Sequence, residues 1–188
     1  MPNWAYTSYY LRSSDDSAKE LYNKMLKLQN MTEPLKPNEF GTTWLGNLVE
    51  DLGMNYDKVY CRGSWDDLRL EDGVLHFTTE TAWNRCSEVE NLIKEKYPEM
   101  EIHFFCEECG MGIYVKNSTE FFPEDYIVDI ENDEIEYLSE DETLSHLSDF
   151  FGIDFNTIDD LLLAVNEHND KEENEDNQIR LNKIELVN

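Results

Sequence analysis

Four cysteines, four histidines and a surplus of carboxylates are the side chains here best equipped for chemistry. Cys106-Glu107-Glu108-Cys109 is a CxxC, and Cys61 and Cys86 complete a set of four thiols. Four thiolates can hold a tetrahedral zinc ion, but Cys61 and Cys86 stand 25 residues apart and form no second close pair. A redox CxxC needs a helix N-terminus, whose dipole lowers a thiol pKa. This one ends a β-favouring run and encloses two carboxylates, which act in the opposite sense. His76, His103, His146 and His168 make no ligand pair, although His76 and His103 fall on predicted strands and can share a sheet face. Residues 129–140 place acids at the first, third, fifth and twelfth positions of a twelve-residue loop. An EF-hand needs glycine at the sixth, where Glu134 stands. No G-x-S-x-G, P-loop, G-x-G-x-x-G or H-E-x-x-H occurs. These patterns assign no catalytic residue, no metal and no cofactor.

Residues 143–163 come closest to a binding motif. Leu144, Leu147, Ser148, Phe151, Gly152, Ile153, Ile158 and Leu161 follow helix-turn-helix spacing. The second helix of such a motif enters the major groove and carries Arg, Lys, Asn or Gln. Here it offers Asp154, Asn156, Asp159 and Asp160, and no Lys or Arg lies between Lys116 and Lys171. Each acid–phosphate contact at about 4 Å costs about 1 kcal/mol even in bulk water. The segment therefore reads as a helical pair with a negative outer face that does not bind DNA. Trp4, Trp65 and Trp83 lack the Lys/Arg tracks that accompany base-stacking platforms, and read as packing residues.

The elements that must position these residues follow from periodicity and turn chemistry. Residues 4–12 are aromatic and β-favouring. Ser14 or Asp15 caps a helix to about Gln29, with Ala18, Leu21, Tyr22, Met25 and Leu28 on one face. Thr43 caps a short inserted helix over 44–52. Residues 65–71 and 74–80 flank Asp72-Gly73, a hairpin turn pair. Ser87 and Glu90 form a capping box for a helix to about Lys96. Residues 101–106 form a strand, and Gly110 and Gly112 turn into another at 113–115. The order β-α-β-β-α-β predicts an α+β, ferredoxin-like split βαβ fold: an antiparallel sheet with helices on one face. That domain is expected over 1–118. An acidic C-terminal α/β extension follows over 119–188, with a hairpin (126–130 and 134–138), helices near 143–150 and 156–168, an acidic linker, and a final edge strand at 178–187.

With these elements placed, Met1-Pro2-Asn3-Trp4, Gly63-Ser64-Trp65-Asp66, the stretch Phe77-Thr78-Thr79-Glu80-Thr81-Ala82-Trp83, and Tyr97-Pro98 leading through Glu107-Glu108 to Gly110-Met111-Gly112 resemble the YubB-type ferredoxin-like domain. The resemblance covers about residues 1–116. It departs at Asn84-Arg85-Cys86, where the family has a Ser-Pro-Pro type turn, and it does not extend to 120–188. It implies the ferredoxin-like fold and a setting on plasmids, phages or conjugative elements, and it carries over no catalytic residue.

Charge narrows the partners. The formal net charge is −27. Residues 120–188 hold 22 Asp and Glu against 3 Lys and Arg, a net of −19, while the preceding 20 against 12 leave −8. Such a field repels nucleic acid and anionic membrane and steers toward basic protein surfaces. No apolar run approaches the roughly 20 residues of a membrane span, and no cationic, hydrophobic leader opens the chain, so the expected location is the cytoplasm, with reduced thiols. The reading is a non-enzymatic, acidic interaction module of a mobile element. In its sharp form it is a DNA mimic acting against a host nucleic-acid-binding or defence protein. Its partner-binding face is expected to comprise Glu131, Asp133, Glu134, Glu136, Glu140, Asp141, Glu142, Asp154, Asp159 and Asp160. The alternatives are a carboxylate-based metal-dependent hydrolase, which would lack the basic groove its anionic substrate requires, or a structural or small-molecule-binding domain.

Overall fold

Alternation along the first strand, β1 (Trp4–Ser13), sorts the N-terminal half of the chain into two faces. Ala5, Thr7, Tyr9 and Leu11 are buried; Tyr6, Ser8, Tyr10 and Arg12 point the other way. The computed structural model describes residues 2–130, 135–172, 174 and 177–187, in an α+β chain that divides into two units, Met1–Ile113 and Tyr114–Asn188.

In the first unit β1 is followed by α1 (Ser17–Gln29), α2 (Leu45–Asp51), β2 (Gly63–Glu71), β3 (Val74–Ala82), α3 (Ser87–Lys96) and β4 (Met100–Glu108). The strands lie in the order β2-β3-β1-β4, each antiparallel to its neighbour. Register places Tyr9 between Phe77 and Phe104, and Leu11 between Leu75 and Ile102. Onto this inner face α1 contributes Ala18, Leu21, Met25 and Leu28, α2 Leu45, Leu48 and Val49, and α3 Val89, Leu92 and Ile93. The β2–β3 hairpin turns through Asp72 and Gly73 with φ of 50° and 81°, the positive values that a two-residue turn requires. Farther along β2 the register shifts between Asp66 and Arg69, and Asp67 takes a φ of 50°. At the other end, Gly63 presses against β3: an added Cβ would lie 2.2 Å from the Glu80 carbonyl oxygen.

In the second unit, β6 (Tyr126–Ile130) is flanked by β7 (Glu136–Leu138) and β8 (Ile179–Lys183), both antiparallel to it. Helices α4 (Glu140–Phe151) and α5 (Ile158–Asn169) supply Leu147, Leu161 and Val165 to a core shared with Val128 and Ile179. The Asn169 amide ties the end of α5 to β8, donating to the Ile179 carbonyl (2.8 Å) and accepting its N–H (2.9 Å).

Several local expectations give way. The final segment is not one strand. Ile184 is buried and donates its N–H to the Asp125 carbonyl, so the chain breaks there, and β9 (Glu185–Leu186) pairs in parallel with β5 (Ile113–Lys116). Asp16 rather than Ser14 or Asp15 precedes α1, while the Asp15 carboxylate accepts the Ser17 N–H at 2.9 Å. Trp44 rather than Thr43 opens α2, since Thr43 ends a 3-10 turn (Gly41–Thr43), and the Trp44 ring lies over Gly46, where a Cβ would approach to 2.3 Å. Cys86 opens α3 without a side-chain cap, so the Ser87–Glu90 box does not form. Glu90 has turned inward instead.

Gly63→Ala is expected to push β2 from β3 and cost about 1–3 kcal/mol, the range for overpacking a close contact. Urea denaturation reads this directly, and an unchanged midpoint would contradict the close approach.

Candidate functional site

The acids singled out from sequence occupy different environments. Glu131, Asp133 and Glu134 lie outside the described residues. Glu140, Asp141 and Glu142 form the first turn of α4, and Asp159 and Asp160 the first turn of α5, where the helix dipole stabilises negative charge. Two of these five close their own helix ends. Glu142 accepts the Ser139 N–H (3.0 Å) and hydroxyl (2.7 Å), and these bonds hold its carboxyl below the ordinary range. Asp160 accepts the Thr157 hydroxyl at 2.8 Å while its own N–H donates back. Glu136 stands 3.7 Å from His146 Nδ1. Asp154 is exposed on the connection between the helices. That connection runs from 152 to 157, longer than the three or four residues of a helix-turn-helix.

Glu140 and Asp159 converge from separate helices. With Tyr126, Thr157, Ile158, Leu162, Leu181 and Lys183 they line an open groove of about 450 Å³. Burial raises the Tyr126 hydroxyl pKa most, followed by the charges of Glu140, Asp125 and Asp159. A phenol so placed keeps its proton and serves as a donor, not as a base or nucleophile. Of these carboxylates, Asp125 is paired with Lys116, whose buried ammonium reaches it at 3.0 Å and the Glu124 carbonyl at 2.7 Å. The groove thus sets two exposed carboxylates among polar and apolar neighbours, with the Tyr126 hydroxyl hydrogen-bonded to Glu140.

In the first unit the three buried thiols are held protonated. Burial pushes Cys61 up to about 11 and Cys86 up to about 12, and also raises Cys106. Cys106 is buried on the inner face of β4, whereas Cys109 is exposed beyond its end. Among the described residues no three His, Cys, Asp or Glu side chains gather as a metal centre. His76 and His103 do share a face, on either side of Tyr10, whose ring centroid lies 4.7 Å from that of His76. Arg69, at the β2 register shift, donates to His76 Nδ1 at 2.8 Å and pairs with Asp67 at 3.0 Å. Burial, then the Arg69 charge, lowers the His76 pKa and favours its neutral form.

Sequence reasoning missed the role of Glu90. Its carboxylate accepts the Tyr9 hydroxyl at 2.8 Å and pairs with Arg85, whose guanidinium stacks 3.9 Å from the centre of the Phe104 ring. Burial, and then the Glu90 charge, hold Tyr9 well above its ordinary pKa. Helical spacing carried the signal: Glu90 lies one turn before Ile93, on the inward stripe.

No family model, curated protein or solved structure matches the chain.

Glu90→Ala strands the Tyr9 hydroxyl and the Arg85 charge and is expected to cost about 3 kcal/mol or more. Glu95→Ala, on the exposed side of α3, should stay within about 0.5 kcal/mol. Equal unfolding midpoints for the two would refute the assignment. Because the folded His76 pKa lies below its unfolded value, only the unfolded chain takes up this proton as pH falls below about 6.5. Stability is therefore present above that pH and lost below it. Denaturation midpoints followed between about pH 7.5 and about pH 5 should fall less steeply in His76→Gln than in the parent, and parallel slopes would count against a neutral His76.

Proposed function

We propose that the protein is a non-enzymatic interaction module whose C-terminal unit presents carboxylates to a basic protein surface. The sharp form is a DNA mimic, in which those carboxylates take the place of backbone phosphates on a nucleic-acid-binding or defence protein. The observation that carries the reading is the placement of Glu140 and Asp159 on two helix ends around one groove, within a segment of net charge −19. Capping fixes the backbone of both ends, through Ser139 on α4 and Thr157 on α5, so the carboxylates are held on ordered turns. The charge itself supplies long-range steering toward a cationic surface and rejection of nucleic acid.

The finer fold reading belongs to the same proposal. The order β2-β3-β1-β4, with crossovers through α1 and α3, supports a ferredoxin-like split βαβ unit. The YubB-type resemblance gains support from its own separated motifs. Trp83 donates its N–H to the Asn3 carbonyl at 2.7 Å, Gly63 pairs with Thr81, and Gly110 sits where an added Cβ would meet the Asn3 side chain at 2.6 Å. Segments distant in sequence thus meet at one corner. A mobile-element setting accompanies that resemblance, and a cytoplasmic location is part of the same proposal. No helix among the described residues is long and apolar enough to cross a membrane.

Immobilised protein should capture a nucleic-acid-binding protein from a bacterial lysate at about 0.1 M salt and release it at about 0.5 M, as screening of exposed charge requires. Prior saturation of the lysate with duplex DNA should block the capture. Partners retained at high salt, or indifferent to DNA, would overturn the mimic reading.

A further inference from the structure

We propose that the turn closing α4, residues 152–155, is an apolar anchor for a basic amphipathic segment of the partner, an inference that rests on the interaction-module reading above and names the partner's chemistry. Two side chains carry it. Ile153 is 59% exposed and Phe150 40%, in the unit that holds most of the chain's negative charge. Apolar groups left in water together within a rim of charge mark an interaction surface.

The backbone of this turn is fixed on both sides. Gly152 takes a φ of 66°, and the Ile153 N–H donates to the Ser148 carbonyl at 3.2 Å. In this type of helix ending the residue after the glycine commonly folds back on an apolar side chain one turn earlier. Here the position it would cover is Ser148, whose hydroxyl accepts the Phe155 N–H at 3.0 Å. Ile153 is thereby displayed on an ordered turn instead of being tucked against its own helix. The Phe150 ring is held as well, edge-on to Phe151 at 5.1 Å and to His168 at 5.8 Å, while Phe151 meets Phe155 at 5.8 Å. Side chains ordered in advance lose little freedom on binding, which favours their use as anchors.

Charge identifies the occupant. Asp149, Asp154 and Glu167 adjoin Phe150, Ile153 and His168 in sequence and are exposed, and no Lys or Arg lies between Lys116 and Lys171. A helix with leucines along one stripe and lysines beside it covers the two apolar side chains and meets these carboxylates together. A second copy of this chain, with a net charge of −27, would bring like charge to the same rim. A purely basic segment would leave Ile153 and Phe150 in water.

The test uses the full chain and two peptides followed by fluorescence anisotropy at about 0.1 M salt: octa-lysine, and a leucine–lysine helical peptide of the same charge. The parent should bind the leucine–lysine peptide at least about tenfold more tightly, the scale of an anchor contact. Phe150→Ser/Ile153→Ser should remove that advantage and leave octa-lysine within about twofold. Ile153→Ser alone, at a position too exposed to disturb folding, should weaken the leucine–lysine peptide about threefold or more. Leu163→Ser removes similar apolar surface from the outer side of α5 and should change neither peptide by more than about twofold. Circular dichroism melting of each variant confirms folding. If Leu163→Ser costs as much as Ile153→Ser, or the parent binds both peptides equally, the anchor is wrong while the interaction-module reading stands. If the parent binds neither, both fall.

Discussion

The two-residue period of β1 is the constraint on which the N-terminal unit depends. As an inner strand paired on both sides, β1 transmits its alternation to β3 and β4 through a shared register. Tyr9, Phe77 and Phe104 therefore meet on one face, with Tyr9 and Phe77 stacked at 4.9 Å. A slip of one residue would put Tyr6 and Tyr10 under the helices and expose Tyr9 and Leu11. The hydroxyl of Tyr9 adds a second requirement, because a phenol buried among apolar groups needs a hydrogen-bond acceptor. Glu90 supplies it, and Arg85 balances the resulting charge. The strand pattern thus determines where α3 must put a carboxylate.

Charge in the C-terminal unit is organised by helix ends. Carboxylates placed in first turns gain from the local dipole and from backbone N–H groups that would otherwise lack partners. The same arrangement that makes α4 and α5 stable in so acidic a segment aims some carboxylates outward. Glu142 and Asp160 turn back onto their caps, whereas Glu140 and Asp159 face the groove. A high count of acids is therefore a poor guide to a binding face, since part of it serves local folding.

Much of the architecture was legible in the chain. The aromatic run of β1, the Asp72-Gly73 turn and the apolar stripes of α1 and α3 are local signals, and each became the element it implied. What escaped notice was set by distant partners. Ser87 and Glu90 have capping-box spacing, but Tyr9, 81 residues from Glu90, competes for that carboxylate. The last segment alternates like a single strand, yet Ile184 is buried and divides it. At the site, the chain revealed which residues were acidic. That Glu140 and Asp159 would line one groove with Tyr126 depends on the packing of two helices on a sheet, which no local pattern encodes.

The irregularity in β2 has a consequence beyond its own hairpin. This strand is the outermost in the order β2-β3-β1-β4, and beyond the bridge that Trp44 makes to Ser64 its far side presents main-chain groups that a foreign polypeptide could zip onto. The register shift between Asp66 and Arg69, with Asp67 in a left-handed conformation, breaks the straight run of donors and acceptors and places charged side chains there. A second molecule sliding along this margin meets a kink and a carboxylate where it would need a flat ladder. The deformation thus acts as a built-in guard against runaway self-association at an open margin.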